Sequence, residues 1–437
     1  MYDSTLTASE ARSIARDAYV FGFAFVANYR VFISQAAKRT PLMLGLGFNQ
    51  FARYRDVIPA ATPDTAQQDT LYAFAVLDLR REPIVISVPD VAAPNSYLLQ
   101  LGDTSTETLP YNSTITTGNR AGRFALAGPD FQGLLSTDGL DGVIAARGQF
   151  VIVLGRVSIL DPDHLEALHE IQDGMALTPL SEHLGQSAPP EPPPVEFPVW
   201  DDEMASSVGV FNYINAALAW HPPSFEEMAP MAEFARIGVI PGASFSTDAM
   251  SHEVAAAVAD GVTDARSEIA ANLEQATSKV NGWAWSTDDI SRFGTDYLTR
   301  STVALQNIYP NAPDHAVYGQ TFRDSDDRIL DGSHVYEMTF PAGELPPVNW
   351  FWSLTLYDES STMYVNPTGR TNIGDRTPDL VSNTDGSLTI TIAHDEPDRP
   401  ANWLPAPSGP FYLVLRCYGP KEPIVNGDWA PPQVNRV

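Results

Sequence analysis

The sequence predicts an α+β protein: two β-rich, sandwich or jelly-roll-like domains with a helical segment between them. Three observations predict it. Short apolar runs separated by turn residues fill the flanks, helical periodicity fills the middle, and a proline-dense stretch marks the entry to that middle.

Residues 1–40 form the N-terminal helical unit. Ala11, Ile14, Ala15, Ala18, Phe21 and Val26 recur at helical spacing across residues 8–38, with Ser9 near the start as the expected cap. Residues 41–186 form the β-rich N-terminal domain. Its strands are expected at Leu71–Leu79, Ile84–Val88, Tyr97–Leu101, Arg123–Ala127 and Phe150–Ile159, followed by a helix over Asp161–Asp173. Pro89-Asp90, Asn112-Ser113, Gly128-Pro129 and Asp138-Gly139 supply the turns.

Residues 187–312 hold the connection and the helical region. Pro189, Pro190, Pro192, Pro193, Pro194 and Pro198 give the connection polyproline character. Helices are expected at Met204–Trp220, Phe225–Gly238, Thr247–Val280 and Asp288–Asn307. Residues 313–437 form the C-terminal jelly-roll-like domain. Its strands are expected at Val317–Arg323, His334–Phe340, Phe351–Leu356, Leu388–Ile392 and Phe411–Cys417.

Composition narrows the function. Lys+Arg of 26 against Asp+Glu of 54 gives a net charge of −28, a field that repels nucleic acid and anionic membrane surfaces. Neither is expected as a partner; a small-molecule substrate is, and a homo-oligomer is compatible. Cys417 is the single cysteine, so no internal disulfide forms, and it reads as a buried apolar residue. Asp3, Glu10, Arg12 and Asp17 interrupt any signal-like opening. The chain as it stands reads as cytoplasmic, and as periplasmic or secreted if a signal peptide was removed.

Chemistry is harder to place. The eight histidines are dispersed, and His164 and His169 lie five apart, so they do not share a helix face as an i, i+4 pair would. Asp324-Ser325-Asp326-Asp327 lacks the glycine and distal glutamate of a calcium loop and reads as a charged turn. Neither a phosphate-cradling loop nor a G-x-S-x-G elbow occurs. No metal site and no cofactor is expected from these residues, although carboxylate ligation stays open.

The strongest cluster in the first β unit is Gln67-Gln68-Asp69-Thr70-Leu71-Tyr72, followed by Tyr97, Gln100, Asp103 and Thr104. Asp69 and Asp103 are candidate acid and base with Tyr72 beside them, provided the carboxyls approach within several ångströms. The alternative is that both aspartates cap turns. Tyr97, Gln100 and Thr104 are candidate substrate-binding groups. Arg156 interrupts the apolar run Phe150–Gly155, so its guanidinium meets either a buried carboxylate or a ligand anion. Trp352 and Trp403 either pack in the core or offer rings on which a ligand stacks.

Two families resemble the two halves. Asp69–Tyr72, Ser87–Asp90, Tyr97–Gln100, Leu154–Arg156 and Gln172–Gly174 are similar to the domain of unknown function 1254. Leu330–Gly332, Phe340–Gly343, Leu345–Val348, Phe351–Tyr357, Ile373–Arg376 and Asn402–Pro407 resemble the domain of unknown function 1214. Gln68 stands where the first family usually has arginine. The resemblance implies two β-rich domains and a helical segment, and no reaction. Together these readings predict a cofactor-free hydrolase or lyase working in a cleft between the β domains. The alternatives are a non-catalytic carbohydrate-binding or assembly protein, and a carboxylate-ligated metal enzyme.

Overall fold

The computed structural model describes residues 2–62, 66–133, 138–275, 279–285, 287–306 and 308–437. The chain opens with α1 (Ala8–Asn28), which runs through a π-helical turn (Tyr29–Ile33) into α2 (Ser34–Lys38). Thr7, not Ser9, caps α1: its hydroxyl accepts from the Glu10 N–H at 3.2 Å while the Glu10 carboxylate accepts from the Thr7 N–H at 2.9 Å. This reciprocal pair satisfies two otherwise orphaned donors.

The first β unit contains β1 (Ala52–Arg53), β2 (Thr70–Asp78), β3 (Ile84–Val88), β4 (Tyr97–Asp103), β5 (Asn112–Ser113), β6 (Gly122–Ala127), β7 (Gly142–Ala145) and β8 (Phe150–Ser158). The helix α3 (Glu166–Gly174), then β9 (Ala176–Pro179) and α4 (Leu180–His183) complete it. Strand order is β1-β2-β8-β4-β5 in one sheet and β7-β6-β3-β9 in the other. The sheets share an apolar layer that includes Leu71, Ala73, Val153, Leu99 and Leu101 from the first and Ile84, Ile86 and Leu126 from the second. That is the two-layer sandwich expected of alternating strands.

The proline-dense connection crosses the surface without regular structure, held by Arg80 donating to the Pro193 carbonyl and Arg81 to that of Pro189. Beyond it come α5 (Asp202–Ser206), α6 (Val210–Trp220), α7 (Met228–Ala235), α8 (His252–Gln275), β10 (Lys279–Val280), β11 (Trp283–Trp285) and α9 (Tyr297–Gln306). The N-terminal helix is not a separate unit: α1 packs on α8, α9 and α6 around a core containing Phe21, Phe25, Ile214, Val258 and Ile269. Gly261 allows the closest approach, since a Cβ there would lie 2.3 Å from the Arg12 carbonyl oxygen.

The second β unit consists of β12 (Ala316–Thr321), β13 (Tyr336–Phe340), β14 (Val348–Asp358), β15 (Asn372–Gly374), β16 (Leu388–Ala393), β17 (Trp403–Pro405), β18 (Phe411–Pro420) and β19 (Val434–Arg436). Its sheets run β10-β11-β12-β18-β14-β15 and β17-β16-β13-β19. The sequence reading leaves residues 279–285 in the helical region; β10 and β11 instead extend the C-terminal sheet. Among the described residues no helix is long and apolar enough to cross a membrane.

Candidate functional site

Register builds the site. Tyr72, Arg156 and Leu98 are cross-strand neighbours on β2, β8 and β4, and therefore point to one face. The opposite face of the sheet is the apolar layer already described, so the polar residues turn outward toward the rest of the molecule. In the second β unit Tyr318, Arg416 and Ser353 are likewise neighbours across β12, β18 and β14. The outer faces of the two units and the helices α1, α8 and α9 border one cavity of about 1880 Å³.

Arg156 is the anchor of its polar end. One guanidinium nitrogen, Nη1, donates to Gln100 Oε1 at 3.2 Å, and Gln100 Nε2 donates to the Pro310 carbonyl at 2.8 Å. The guanidinium lies 5.6 Å from the Tyr72 ring centroid. Among the described residues no carboxylate lies within ion-pair distance of Arg156, and its buried Nε has no hydrogen-bond partner. Burial opposes its charge, yet the surrounding phenols of Tyr418, Tyr72, Tyr318 and Tyr111 hold its pKa above the ordinary value. Burial also pushes Tyr418 well above the usual tyrosine range and Tyr111 upward. Tyr418 and Tyr111 therefore stay protonated near neutral pH and leave the guanidinium charge unneutralised.

The remaining groups are fixed by one another. Gln67 Nε2 donates to the Tyr72 hydroxyl at 2.8 Å. Across the cavity Arg416 donates to Thr355 Oγ1 at 3.0 Å and to the Tyr357 hydroxyl at 2.7 Å. Asn311 donates to the Tyr318 hydroxyl, which donates to that of Tyr418 at 3.4 Å. Arg416 carries the same signal as Arg156, a lone arginine inside the apolar run Phe411–Cys417, and the sequence reading passed over it.

Several expected site residues lie elsewhere. Asp69 and Asp103 do not form an acid–base pair. The Asp69 carbonyl accepts from Ile159, whereas Asp103 lies opposite Val151. Eight residues of extended strand separate those positions, roughly 26 Å at about 3.3 Å per residue. Asp69 is 2% exposed; its carboxylate pairs with Arg376 and accepts from Ser353 Oγ at 2.7 Å, tying β2 to the second β unit.

Asp103 closes a turn: its Oδ1 accepts from Ser105 N at 2.8 Å and from Glu107 N at 3.2 Å. Its Oδ2 lies 3.7 Å from His221 Nε2, and neither atom has a hydrogen-bond partner among the described residues. Thr104 bonds His221 Nδ1 at 3.2 Å, outside the cavity wall. Tyr97 points into the apolar layer, its hydroxyl on Thr117 at 2.8 Å.

The tryptophans offer no open platform. Trp352 is 2% exposed and packs against Phe340, and Trp403 donates its Nε1 to the Ala393 carbonyl at 2.9 Å. Of the expected residues the cavity wall therefore includes Tyr72 and Arg156, with Gln100 behind Arg156. Among the described residues no group of three or more His, Cys, Asp or Glu side chains is arranged to hold a metal ion.

Residues 48–179 match the family described as Protein of unknown function (DUF1254), and residues 315–422 match Protein of unknown function (DUF1214). No curated protein matches the chain. The crystal structure of the VPA0106 protein from Vibrio parahaemolyticus is similar, with 26% identity and a TM-score of 0.76 over 98% of this chain and 100% of that one. A crystal structure of an uncharacterised protein from Burkholderia cenocepacia covers 98% of this chain and 87% of its own, with 12% identity and a TM-score of 0.48.

Proposed function

Because the chain belongs to the two-domain family that joins DUF1254 to DUF1214, whose descriptions name no reaction, we propose its function from the cavity itself. It binds a small anionic molecule between the two β units, with Arg156 as the anchor. The observation that supports this is a charged guanidinium in the cavity wall with no carboxylate partner among the described residues. A partly buried cation without a counter-ion is costly, and an incoming anion relieves that cost. The nitrogen that Gln100 leaves free, Nη2, is a charged donor to which an incoming oxyanion can bond.

A hydrolase or lyase reaction is the second part of the reading. Tyr72 supports it, since its hydroxyl is held by Gln67 beside the anchor and can deliver a proton to a leaving group. Neither aspartate is needed for that step. The test is turnover profiling on mixed small organic anions, with Arg156→Gln and Tyr72→Phe alongside the parent. Binding should weaken about tenfold or more in the first variant. In the second it should persist while turnover falls about a hundredfold, within the usual contribution of a positioned acid. Unchanged anion affinity in Arg156→Gln would overturn the binding site, and unchanged turnover in Tyr72→Phe would remove the tyrosine from the chemistry.

A further inference from the structure

Gln100 is fully buried and lies outside the cavity wall, yet it decides how Arg156 faces that cavity. On β4 Leu98 stands opposite Arg156, and Gln100, two residues on, shares its face. The same face continues to Gly102, where a Cβ would lie 2.1 Å from the ring of Tyr309. With no side chain there, Tyr309 lies against the strand, and its hydroxyl donates to the Asp103 carbonyl at 2.5 Å. That contact brings the next residue, Pro310, to Gln100.

The Gln100 amide is held between two neighbours of opposite demand. Pro310 presents a carbonyl, which only accepts, and Arg156 presents N–H groups, which only donate. Gln100 Nε2 donates to the Pro310 carbonyl at 2.8 Å and to Thr108 Oγ1 at 3.4 Å. Its Oε1 accepts from Arg156 Nη1 at 3.2 Å. An amide meets both demands at once. A carboxylate would leave the carbonyl without a donor, an ammonium would leave the guanidinium without an acceptor, and an alkyl chain would satisfy neither. Holding Nη1 also orients the rest of the planar group. Nε turns into the protein, and Nη2 is the nitrogen left for the cavity.

Resting on the anion site above, we infer that Gln100 is its positioning residue and preserves its preference for negative charge. The amide oxygen carries only a partial charge, so it aims the guanidinium without cancelling the charge that draws the ligand. A glutamate at the same point would supply the counter-ion from within and close the site to anions. Gln100 acts through Arg156 and not on the ligand.

The test is titration calorimetry of the full chain with acetate, benzoate and methanesulfonate at pH 7.5. Gln100→Glu and Gln100→Leu are compared with the parent and with Arg156→Gln. Gln100→Glu is nearly isosteric and should weaken the anions about tenfold or more, as Arg156→Gln does, because the charged donor is lost to them. Gln100→Leu keeps the charge and loses only its aim. It should weaken them less, by about twofold to tenfold, the usual worth of one hydrogen bond to a neutral partner. That order marks the role, since a residue needed only for packing would suffer at least as much from leucine as from glutamate. Near-UV circular dichroism checks the fold of each variant, and Gln100→Met takes the place of the leucine variant if that one is unfolded.

Parental affinity in Gln100→Glu would overturn the role of Gln100, and so would a leucine variant as weak as the glutamate one. Either result leaves the anion site standing when Arg156→Gln is weak. Unchanged affinity in Arg156→Gln, or a parent that binds none of the three anions, would remove the anion site and the role of Gln100 with it.

Discussion

Arg156 and His221 show two opposite outcomes of burying a titratable group. Arg156 keeps its charge because a guanidinium deprotonates only at very high pH, and the Gln100 amide oxygen accepts a hydrogen bond from it. His221 loses its charge instead. Burial pushes its pKa below the ordinary 6.5, against the attraction of Asp103 and Glu227 and with the repulsion of Arg147 and Arg300. The linkage follows directly. Below pH 6.5 the unfolded chain binds a proton at this position that the folded chain does not, so stability falls as the pH drops from 6.5 through the folded value. Chemical denaturation at pH 7.5 and pH 5.5 should therefore show a smaller difference in His221→Gln than in the parent. An equal difference in both proteins would place the acid sensitivity elsewhere.

At the scale of elements, the helices meet through small residues. Replacing glycine by alanine inside an exposed helix normally stabilises by about 0.5–1 kcal/mol. Gly261→Ala should do the reverse, because the added methyl would meet the backbone of α1. Overpacking of this kind costs about 1–3 kcal/mol, and a thermal melt reads the sign.

How far the elements were legible depends on what fixes them. Strands that are continuous, largely apolar runs bounded by turn residues, such as Ile84–Val88 and the core of Phe411–Pro420, are readable from their residues alone. The single helix expected over residues 8–38 is instead interrupted at Tyr29 by the π turn, which no change in the apolar spacing announces. β9 and β11 escape notice because three or four residues carry no period, and their partners β3 and β12 are distant in sequence.

The site was legible only in part for a related reason. A lone arginine in an apolar run is a local signal, and Arg156 stands out by it. Asp69 and Asp103 resemble an acid–base pair by residue type, but their separation is set by strand register, which no single segment encodes. The partner of Asp69 is Arg376, 307 positions away.

For the whole molecule, contacts of that range make the two β units one body. Arg376 pairs with Asp69, Thr371 donates to Gln68 Oε1 at 2.6 Å, and Tyr357 donates to the Ala66 carbonyl at 2.6 Å. Truncating one partner of a buried ion pair leaves the other uncompensated, at about 3–5 kcal/mol. Asp69→Asn should lose stability of that order in urea while retaining its affinity for anions at Arg156. A variant as stable as the parent but inactive would instead return Asp69 to the chemistry.

Strand order has a further consequence, for synthesis on the ribosome. β18 occupies the middle of the C-terminal sheet between β12 and β14, yet more than 400 residues precede it. Until it emerges, β12 and β14 each lack a neighbour, and their open edges are exposed while translation continues. α1 has a similar wait, since its partners α8 and α9 follow more than two hundred residues later. Unpaired edges and apolar helix faces are what chaperones bind and what aggregates form from. This topology makes the nascent chain depend on such protection until its last long strand arrives, and a ribosome stalled shortly before residue 411 would carry an unfinished sheet.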